Sequence, residues 1–167
     1  MRVTAAALCV MGIACAANAG ALTLDDLSIG TILAGDSVLG DTNGSSNDMN
    51  GVLIATSIFS WSGNDDVYTL NWGGGDLVLD LFYTAADGDL DMFVFDSNLA
   101  GSAIGTSLTT SDDEQIELLG LAAGTYYVSV DGWSDAANSY TLNVSVPAPA
   151  SMALLGLGGL VAGRRRR

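Results

Sequence analysis

The sequence predicts an all-β protein, an antiparallel β-sandwich, with an N-terminal signal helix before it and a C-terminal apolar helix after it. The middle of the chain alternates apolar and polar residues with a period of two, which is typical of strands with one buried face. Turn-forming glycine, asparagine and aspartate separate these runs at regular intervals. No convincing amphipathic helix lies between the two ends, so we expect a sandwich of about seven or eight short strands.

The N-terminal segment predicts a secretory signal peptide over residues 1–19. Arg2 supplies a minimal positive start, and the stretch that follows is almost entirely apolar. Ala17 and Ala19 place small side chains at the positions that a signal peptidase recognises. We therefore expect signal peptidase to be a partner and Gly20 to be the first mature residue.

Both cysteines, Cys9 and Cys15, lie inside this N-terminal segment. The alternative is a lipoprotein signal that uses Cys15, although residues 12–14 lack the leucine that such signals carry. After cleavage before Gly20 the chain would have no cysteine. The mature protein would then hold no disulfide and no cysteine metal site.

The body of the chain comprises a lead-in at residues 20–35, with at most one edge strand, and the predicted sandwich at residues 36–145. On one of its strands the alternation places Leu90, Met92 and Val94 inward. The clearest strand candidates are residues 52–61, 66–71, 77–83, 89–95, 126–131 and 140–145.

The charge of the body is entirely negative. The five basic residues of the chain are Arg2 and residues 164–167, so the body holds all 19 acidic residues without lysine, arginine or histidine. Such a field repels nucleic acid and anionic membrane surfaces. It leaves no surface ion pair in the body, and the repulsion must be screened by salt or relieved by bound cations.

The same composition argues against an enzyme. Without histidine no Ser-His-Asp or Cys-His arrangement can form, and without lysine or arginine there is no cationic clamp for an oxyanion or phosphate. Paired carboxylates can hydrolyse glycosides, and the dense candidates are Asp89 with Asp91 and the acidic run at residues 112–117. A solvated strand edge or a calcium site is the more ordinary role of such aspartates, so we predict no catalytic residues.

The C-terminal residues 146–167 form a tripartite tail. Val146, Pro147 and Pro149 begin a proline-marked spacer, and an uncharged apolar run follows it. That run is at the short edge of the ~17–25 residues that a helix needs to cross a bilayer. The chain ends with four arginines: Arg164, Arg165, Arg166 and Arg167.

These arginines favour the cytoplasmic side of a membrane, which would place the body outside. The tail therefore predicts a sorting signal with transient membrane association through its helix. The alternatives are a plain C-terminal anchor and a buried helix, and the second fits poorly because the run is rich in glycine and ends in charge.

The order of the strand segments resembles that of a known family. Together with the Gly/Ser/Asn-rich residues 40–48, the segments are similar in spacing to the bacterial pre-peptidase C-terminal (PPC) domain, a jelly-roll-like β-sandwich. The resemblance covers residues 36–145. The segments that carry it are residues 66–70, 76–81, 89–96, 123–130 and 140–144.

The tail resembles the PEP-CTERM sorting signal, which exosortase-type enzymes recognise. It keeps the proline spacing, the apolar run and the terminal arginines, although Ala148 stands where that signal usually has glutamate. The resemblance implies an exported protein of the cell envelope, cell surface or extracellular matrix. The C-terminal helix would anchor it at first, and an exosortase-type enzyme would process it.

The PPC resemblance implies a non-catalytic module and suggests calcium as a cofactor. Some relatives hold calcium near the start of the sandwich, and the positions that match here are Asn47, Asp48 and Asp66. The serines Ser45 and Ser46 stand where such sites often have glutamate. The metal-free alternative is that these residues form turns, which asparagine and aspartate stabilise without an ion.

The three tryptophans, Trp61, Trp72 and Trp133, either stack on sugar rings or cap the core, and core packing is the commoner role. The sequence shows no cluster of aromatic and polar residues on one sheet face. We therefore predict a non-catalytic surface or matrix protein sorted by an exosortase-type system. The alternative is a secreted carbohydrate- or protein-binding module with calcium-stabilised loops, whose partner would be an extracellular polysaccharide or a matrix protein.

Overall fold

The computed structural model describes residues 23–99 and 102–147. The signal peptide with Ala17, Ala19 and Gly20, and the tail from residue 148 onward, lie outside the described residues, as do both predicted terminal helices. Within the described part of the chain, no helix is long and apolar enough to span a membrane.

The described residues form one short α-helix and eleven strands, joined by turns that include two short 3-10 segments. Several of the strands have only three to five residues, too few for a period of two to be visible, which is why the sequence predicts fewer of them. The elements are α1 (Leu24–Leu27), β1 (Ser28–Ile32), β2 (Ser37–Asp41), β3 (Val52–Ile54), β4 (Ser57–Phe59), β5 (Asp65–Trp72), β6 (Gly75–Phe82), β7 (Leu90–Phe95), β8 (Gly105–Ser107), β9 (Asp113–Leu121), β10 (Gly124–Gly132) and β11 (Ser139–Ser145).

The strands form two packed sheets and a small hairpin, which confirms the predicted β-sandwich. The larger sheet has the order β1-β5-β10-β7-β8, and the smaller has the order β2-β11-β6-β9. All pairings within the two sheets are antiparallel except that of β1 with β5, which is parallel. Strands β3 and β4 form the separate hairpin.

The main hydrophobic core lies between the two sheets. On β6 and β11 buried residues alternate with more exposed ones, because these strands face the core on one side and solvent on the other. The members with no exposed side-chain area include Leu70, Leu77, Leu79, Leu81, Leu90, Met92, Val94, Val128, Val130 and Leu142. Leu90, Met92 and Val94 therefore face this core, as the alternation predicts.

A second core covers the opposite face of the five-stranded sheet. Phe93 and Phe95 of β7 and Tyr127 of β10 are buried there beneath α1, the β3–β4 hairpin and Trp61. Every residue of β7 is consequently buried. Five of its six residues are apolar, because a strand between two covered faces no longer needs a polar side.

The lead-in residues belong to this second layer. Thr23 caps α1 through a capping box with Asp26, and the Tyr127 hydroxyl donates a hydrogen bond to Asp25 Oδ1 at 2.8 Å. Strand β1 follows directly and completes one edge of the larger sheet. The single edge strand expected before residue 36 is therefore β1, while β2 begins the smaller sheet.

Candidate functional site

A cavity of about 340 Å³ opens beside the second core, at the end of the five-stranded sheet. Three aromatic residues line it: Phe59 at the end of β4, Trp61 in the loop before β5, and Trp133 directly after β10. Asp89 and Asp91 contribute carboxylates to the lining. The rest of the wall is formed by Leu108, Thr109 and Thr110.

Two glycines bring the aromatic segments together. The N–H of Gly63 donates a hydrogen bond to the carbonyl oxygen of Gly132 at 2.9 Å, which joins the loop before β5 to the end of β10. A Cβ at Gly132 would lie 2.0 Å from the carbonyl oxygen of Ala136, and one at Gly63 would lie 2.3 Å from the same atom. Only glycine fits at these two positions, so this close backbone approach sets the spacing of the aromatic residues.

The aromatic rings form a connected set around Trp61. The ring centroid of Trp61 lies 5.6 Å from that of Trp133 and 6.2 Å from that of Phe59, in both cases edge to face. A third edge-to-face contact, at 4.8 Å, anchors Trp61 on Phe93 of the second core. Trp61 is buried, whereas Phe59 and Trp133 each keep 48% of their surface exposed. A rigid buried indole thus supports two accessible aromatic rings.

The two carboxylates of the cavity differ in environment. Asp91 is buried and accepts a hydrogen bond from Trp61 Nε1. Burial raises the pKa of Asp91 to about 7; the indole N–H lowers it, and the charges of Asp89 and Glu114 raise it further. Asp89 is only half-buried and accepts from the Tyr83 hydroxyl at 3.1 Å. The expectation that Asp91 lies on a solvated strand edge is wrong, because the second core covers that face of β7.

Asp91 belongs to a row of three buried aspartates that crosses the sheet. Asp131 of β10 is paired in register with Asp65 of β5 on one side and with Asp91 of β7 on the other. Alternation puts all three on the outer face, since Val67, Tyr127 and Phe93 lie two or four residues from them on the same strands. Asp91 at one end of the row lines the cavity, and Asp131 and Asp65 continue the row across the sheet.

Asp131 has no exposed surface, and neither of its carboxylate oxygens has a hydrogen-bond partner among the described residues. Burial, followed by the charges of Asp65 and Asp91, raises the pKa of Asp131 to about 9. The nearby backbone N–H of Gly132 lowers this pKa, although the N–H donates its hydrogen bond to the carbonyl oxygen of Asn64. Burial also raises the pKa of Asp65 to about 6, although the backbone N–H groups of Met49 and Asp48 donate hydrogen bonds to Asp65 and lower its pKa.

The predicted calcium residues lie close in the fold but are engaged differently. Asp66 faces the main core, where Oδ1 accepts from the Ser45 hydroxyl at 2.5 Å and Oδ2 from the Tyr140 hydroxyl at 2.6 Å. The backbone N–H of Asp48 instead contacts Asp65, whose Oδ2 accepts it at 2.7 Å. Asn47 contributes a buried Oδ1 without a hydrogen-bond partner in the described structure.

A calcium ion needs several such oxygens, and the Asn47 oxygen is free to serve as one. Asp66 would have to exchange a hydroxyl donor for the ion. No three histidine, cysteine or acidic side chains come together in a group that could hold a metal within residues 23–99 and 102–147. The calcium site of Asn47, Asp48 and Asp66 therefore stays a prediction.

The cavity itself was missed at the sequence level. Trp61 and Trp72 are buried, as core packing requires, but Trp133 is half-exposed and lies in a cluster with polar partners. Phe59, Asp89 and Trp133 come from distant segments of the chain. The only local signal was the pair of glycines, Gly63 and Gly132, each close in sequence to a tryptophan.

The lining of the cavity is suited to binding a ligand. It has carboxylates and aromatic faces but no histidine, lysine or arginine, and none of these occurs in residues 23–147. Its carboxylates therefore have no cationic partner to stabilise a developing negative charge. What the arrangement offers is a preformed concave surface with accessible rings and fixed acceptors.

Comparison with known families confirms both resemblances drawn from the sequence. The model of the bacterial pre-peptidase C-terminal domain matches residues 64–132, and that of the PEP-CTERM protein-sorting motif matches residues 145–167. No curated protein matches the chain.

A solved structure of a pre-peptidase C-terminal domain supports the same fold. The pre-peptidase C-terminal domain of a collagenase from Bacillus anthracis is 13% identical, with a TM-score of 0.52, over 71% of this chain and 96% of that domain. A family 6 carbohydrate-binding module from Clostridium cellulolyticum, in complex with xylose, is 16% identical over 69% of this chain and 100% of its own. Its TM-score is 0.39, too low to add to the argument.

Proposed function

We propose that this chain, a pre-peptidase C-terminal type β-sandwich followed by a PEP-CTERM sorting motif, is an exported, non-catalytic protein of the cell surface or extracellular matrix. The sorting motif is the observation that carries the proposal, since it indicates export and sorting to the cell envelope or surface. Signal peptidase would release the mature chain before Gly20, and an exosortase-type enzyme would then act on the tail.

The position of the motif suits recognition by another protein. Its match begins at residue 145, where β11 ends, and Val146 keeps 55% of its surface exposed. The start of the spacer thus leaves the sandwich at its surface, and no strand would have to open for an enzyme to reach it. The body can fold first and remain folded while the tail is processed.

The negative charge of the body supports a non-catalytic role outside the cell. All 19 acidic residues lie between the two ends, and the formal net charge of the whole chain is −14. A uniformly negative surface keeps a secreted protein soluble and separated from like-charged copies and membranes. The match of residues 64–132 to the bacterial pre-peptidase C-terminal domain, whose resemblance implies a non-catalytic module, agrees with this role.

Deletion of residues 152–167 tests the sorting proposal in the native host. The full chain should be found in the envelope fraction, whereas the truncated chain should appear in the medium, because it lacks the apolar run and the arginine stop. Immunoblots of the fractions measure the distribution. A matched control replaces only Asp96 with Asn and should distribute like the full chain. Equal envelope retention of the truncated chain would contradict the proposal.

A second candidate function is supported by the cavity. The preformed aromatic and acidic lining favours a secreted binding module whose ligand is a carbohydrate or a protein of the matrix. Calcium held by Asn47, Asp48 and Asp66 would stabilise the loop before β3 in that case. The two candidates are compatible, because a sorted surface protein can also carry a ligand site.

A further inference from the structure

The chemistry of the cavity lining is unusual for a site that binds a neutral sugar. A sugar hydroxyl both donates and accepts hydrogen bonds, so a sugar-binding site combines donors and acceptors. The lining of this cavity has no Lys, Arg, His, Asn or Gln side chain. Two of the donors that it does contain are used internally. Trp61 Nε1 donates to Asp91, and the Thr109 hydroxyl donates to Glu114 Oε1 at 2.6 Å.

The electrostatic field in the cavity has one sign. Asp89 presents a half-exposed carboxylate, Asp91 forms part of the wall, and the buried Glu114 lies behind Thr109, whose hydroxyl donates a hydrogen bond to it. No basic residue occurs anywhere in residues 3–163 to offset these charges. An anionic ligand is therefore repelled, and a cation is attracted and concentrated at the opening.

The accessible rings suit the same kind of ligand. The exposed surfaces of Phe59 and Trp133 flank the carboxylates, and aromatic faces attract ammonium and guanidinium groups, tryptophan most strongly. The apolar surface of the rings and of Leu108 would contact the methylene stem of such a side chain. A cavity of about 340 Å³ has room for a single long side chain.

From these three features we infer that the Phe59–Trp61–Trp133 cavity binds the cationic side chain of a lysine or arginine presented by a partner polypeptide. The inference rests on the second candidate function and names its ligand class. The guanidinium or ammonium group would lie against Trp133 and Phe59 and donate hydrogen bonds to Asp89. Trp61 would act as the rigid support, held by Asp91 and Phe93.

Binding of small probes to the purified full chain tests this inference. The probes are Nα-acetyl-arginine methylamide and Nα-acetyl-lysine methylamide, with the citrulline analogue as the neutral isostere and xylose as the sugar. Tryptophan fluorescence and the indole N–H signals in NMR report on Trp61 and Trp133 directly. A parallel sample with Arg164 to Arg167 replaced by glutamine ensures that the chain's own tail does not occupy the cavity.

The arginine and lysine probes should saturate and shift the Trp133 signal, and the citrulline analogue should bind about 10-fold more weakly or not at all, because it lacks the charge. Trp133→Ala and Asp89→Asn should each weaken binding by about 10-fold. Two matched controls lie elsewhere on the surface. Leu119→Ala removes another exposed apolar side chain, Asp96→Asn removes another exposed charge, and both should bind like the unaltered chain.

Four results would overturn the inference. Citrulline binding as tight as arginine binding would show that charge is not recognised, and an Asp96→Asn effect equal to that of Asp89→Asn would show diffuse attraction only. Xylose binding without cation binding would leave the binding-module function standing with a different ligand. A complete absence of binding by all four probes would remove both the inference and that second function. Export and sorting are tested separately by the deletion of residues 152–167.

Discussion

The two faces of the five-stranded sheet are both buried, yet a buried carboxylate is hydrogen-bonded on one face and lacks a partner on the other. On the inner face, the one carboxylate among the apolar side chains is Asp66 in the described structure, and hydroxyls of Ser45 and Tyr140 satisfy it. On the outer face, Asp131 stands between two further aspartates with no donor for either oxygen.

Burial alone therefore does not give the two faces the same environment for a carboxylate. The inner face closes against the second sheet, and its carboxylate is paired, although Trp72 Nε1 has no hydrogen-bond partner among the described residues. The outer face is covered only by α1, the β3–β4 hairpin and Trp61, and its acidic row adjoins the cavity. Unpaired buried carboxylates cost stability, and they are tolerated at positions where a proton or a ligand offsets the charge.

The largest expected effect is on the inner face, at Val94. Val94→Asp would bury a carboxylate among apolar side chains at a site without donors, which costs several kcal/mol and should leave the chain unfolded or aggregated. Circular dichroism during heating measures the result. The control is Leu39→Asp on β2, where the side chain is 84% exposed and the change should be nearly neutral. An unchanged melting temperature for Val94→Asp would mean that the inner face is not closed.

A smaller effect of opposite sign is expected on the outer face, at Asp131. Its pKa of about 9 in the folded chain lies far above the ordinary value of 3.8, so the folded state binds a proton that the unfolded state releases. The resulting stability is complete below about pH 4 and is lost as the pH rises toward 9. Asp131→Asn should remove much of that slope and stabilise the protein at pH 8 by on the order of a few kcal/mol.

Urea unfolding at pH 5, 7 and 9 measures this slope. Asp65 and Asp91 titrate in the same direction with pKa values of about 6 and 7, so part of the slope below pH 7 should remain in the Asp131→Asn variant. Asp96→Asn, on the exposed surface, serves as the charge-matched control and should leave the slope unchanged. A protein whose stability rises from pH 5 to pH 9 would contradict the raised pKa of Asp131.

The smallest expected effect is the stabilisation of the fold by calcium, and it tests which face of β5 supplies a carboxylate ligand. If Asn47, Asp48 and Asp66 bind the ion, calcium at tenfold its dissociation constant should stabilise the fold by about 1.4 kcal/mol, beyond magnesium at matched ionic strength. Asp66→Asn should abolish that increment, and Asp65→Asn, its neighbour on the outer face, should preserve it. The melting temperature with and without calcium measures both.

Loss of the increment only in Asp65→Asn would move the carboxylate ligand to the outer face, where Asp65 already contacts the backbone of Asp48. Identical responses to calcium and magnesium would contradict a specific site. Both cations would then stabilise the fold only by screening the repulsion between acidic residues, over a Debye length of ~10 Å at 0.1 M salt.

Features that depend on residues close together in the chain were predictable from the sequence. Alternation with a period of two predicted the sandwich and the inward side of β7, and the turn residues marked its strand ends. The tail was recognisable because a sorting enzyme reads a short linear segment, which includes Pro147 and Pro149, without reference to the fold. The absence of histidine and of basic residues from the body likewise needed no structure to argue against common catalytic machinery.

Which sheet faces are covered, and which distant side chains meet, depends on the packing of the whole chain and could not be predicted from the sequence. Asp91 was indistinguishable from a solvated strand residue until α1 and the β3–β4 hairpin closed over that side of the sheet. Asp131 became its neighbour through the pairing of β10 with β7, which local periodicity does not encode. The cavity between Trp61 and Trp133 exists because Gly63 and Gly132 permit two remote backbone segments to touch. Alternation reports that a strand has two sides, but what covers each side is set by contacts between residues far apart in the chain.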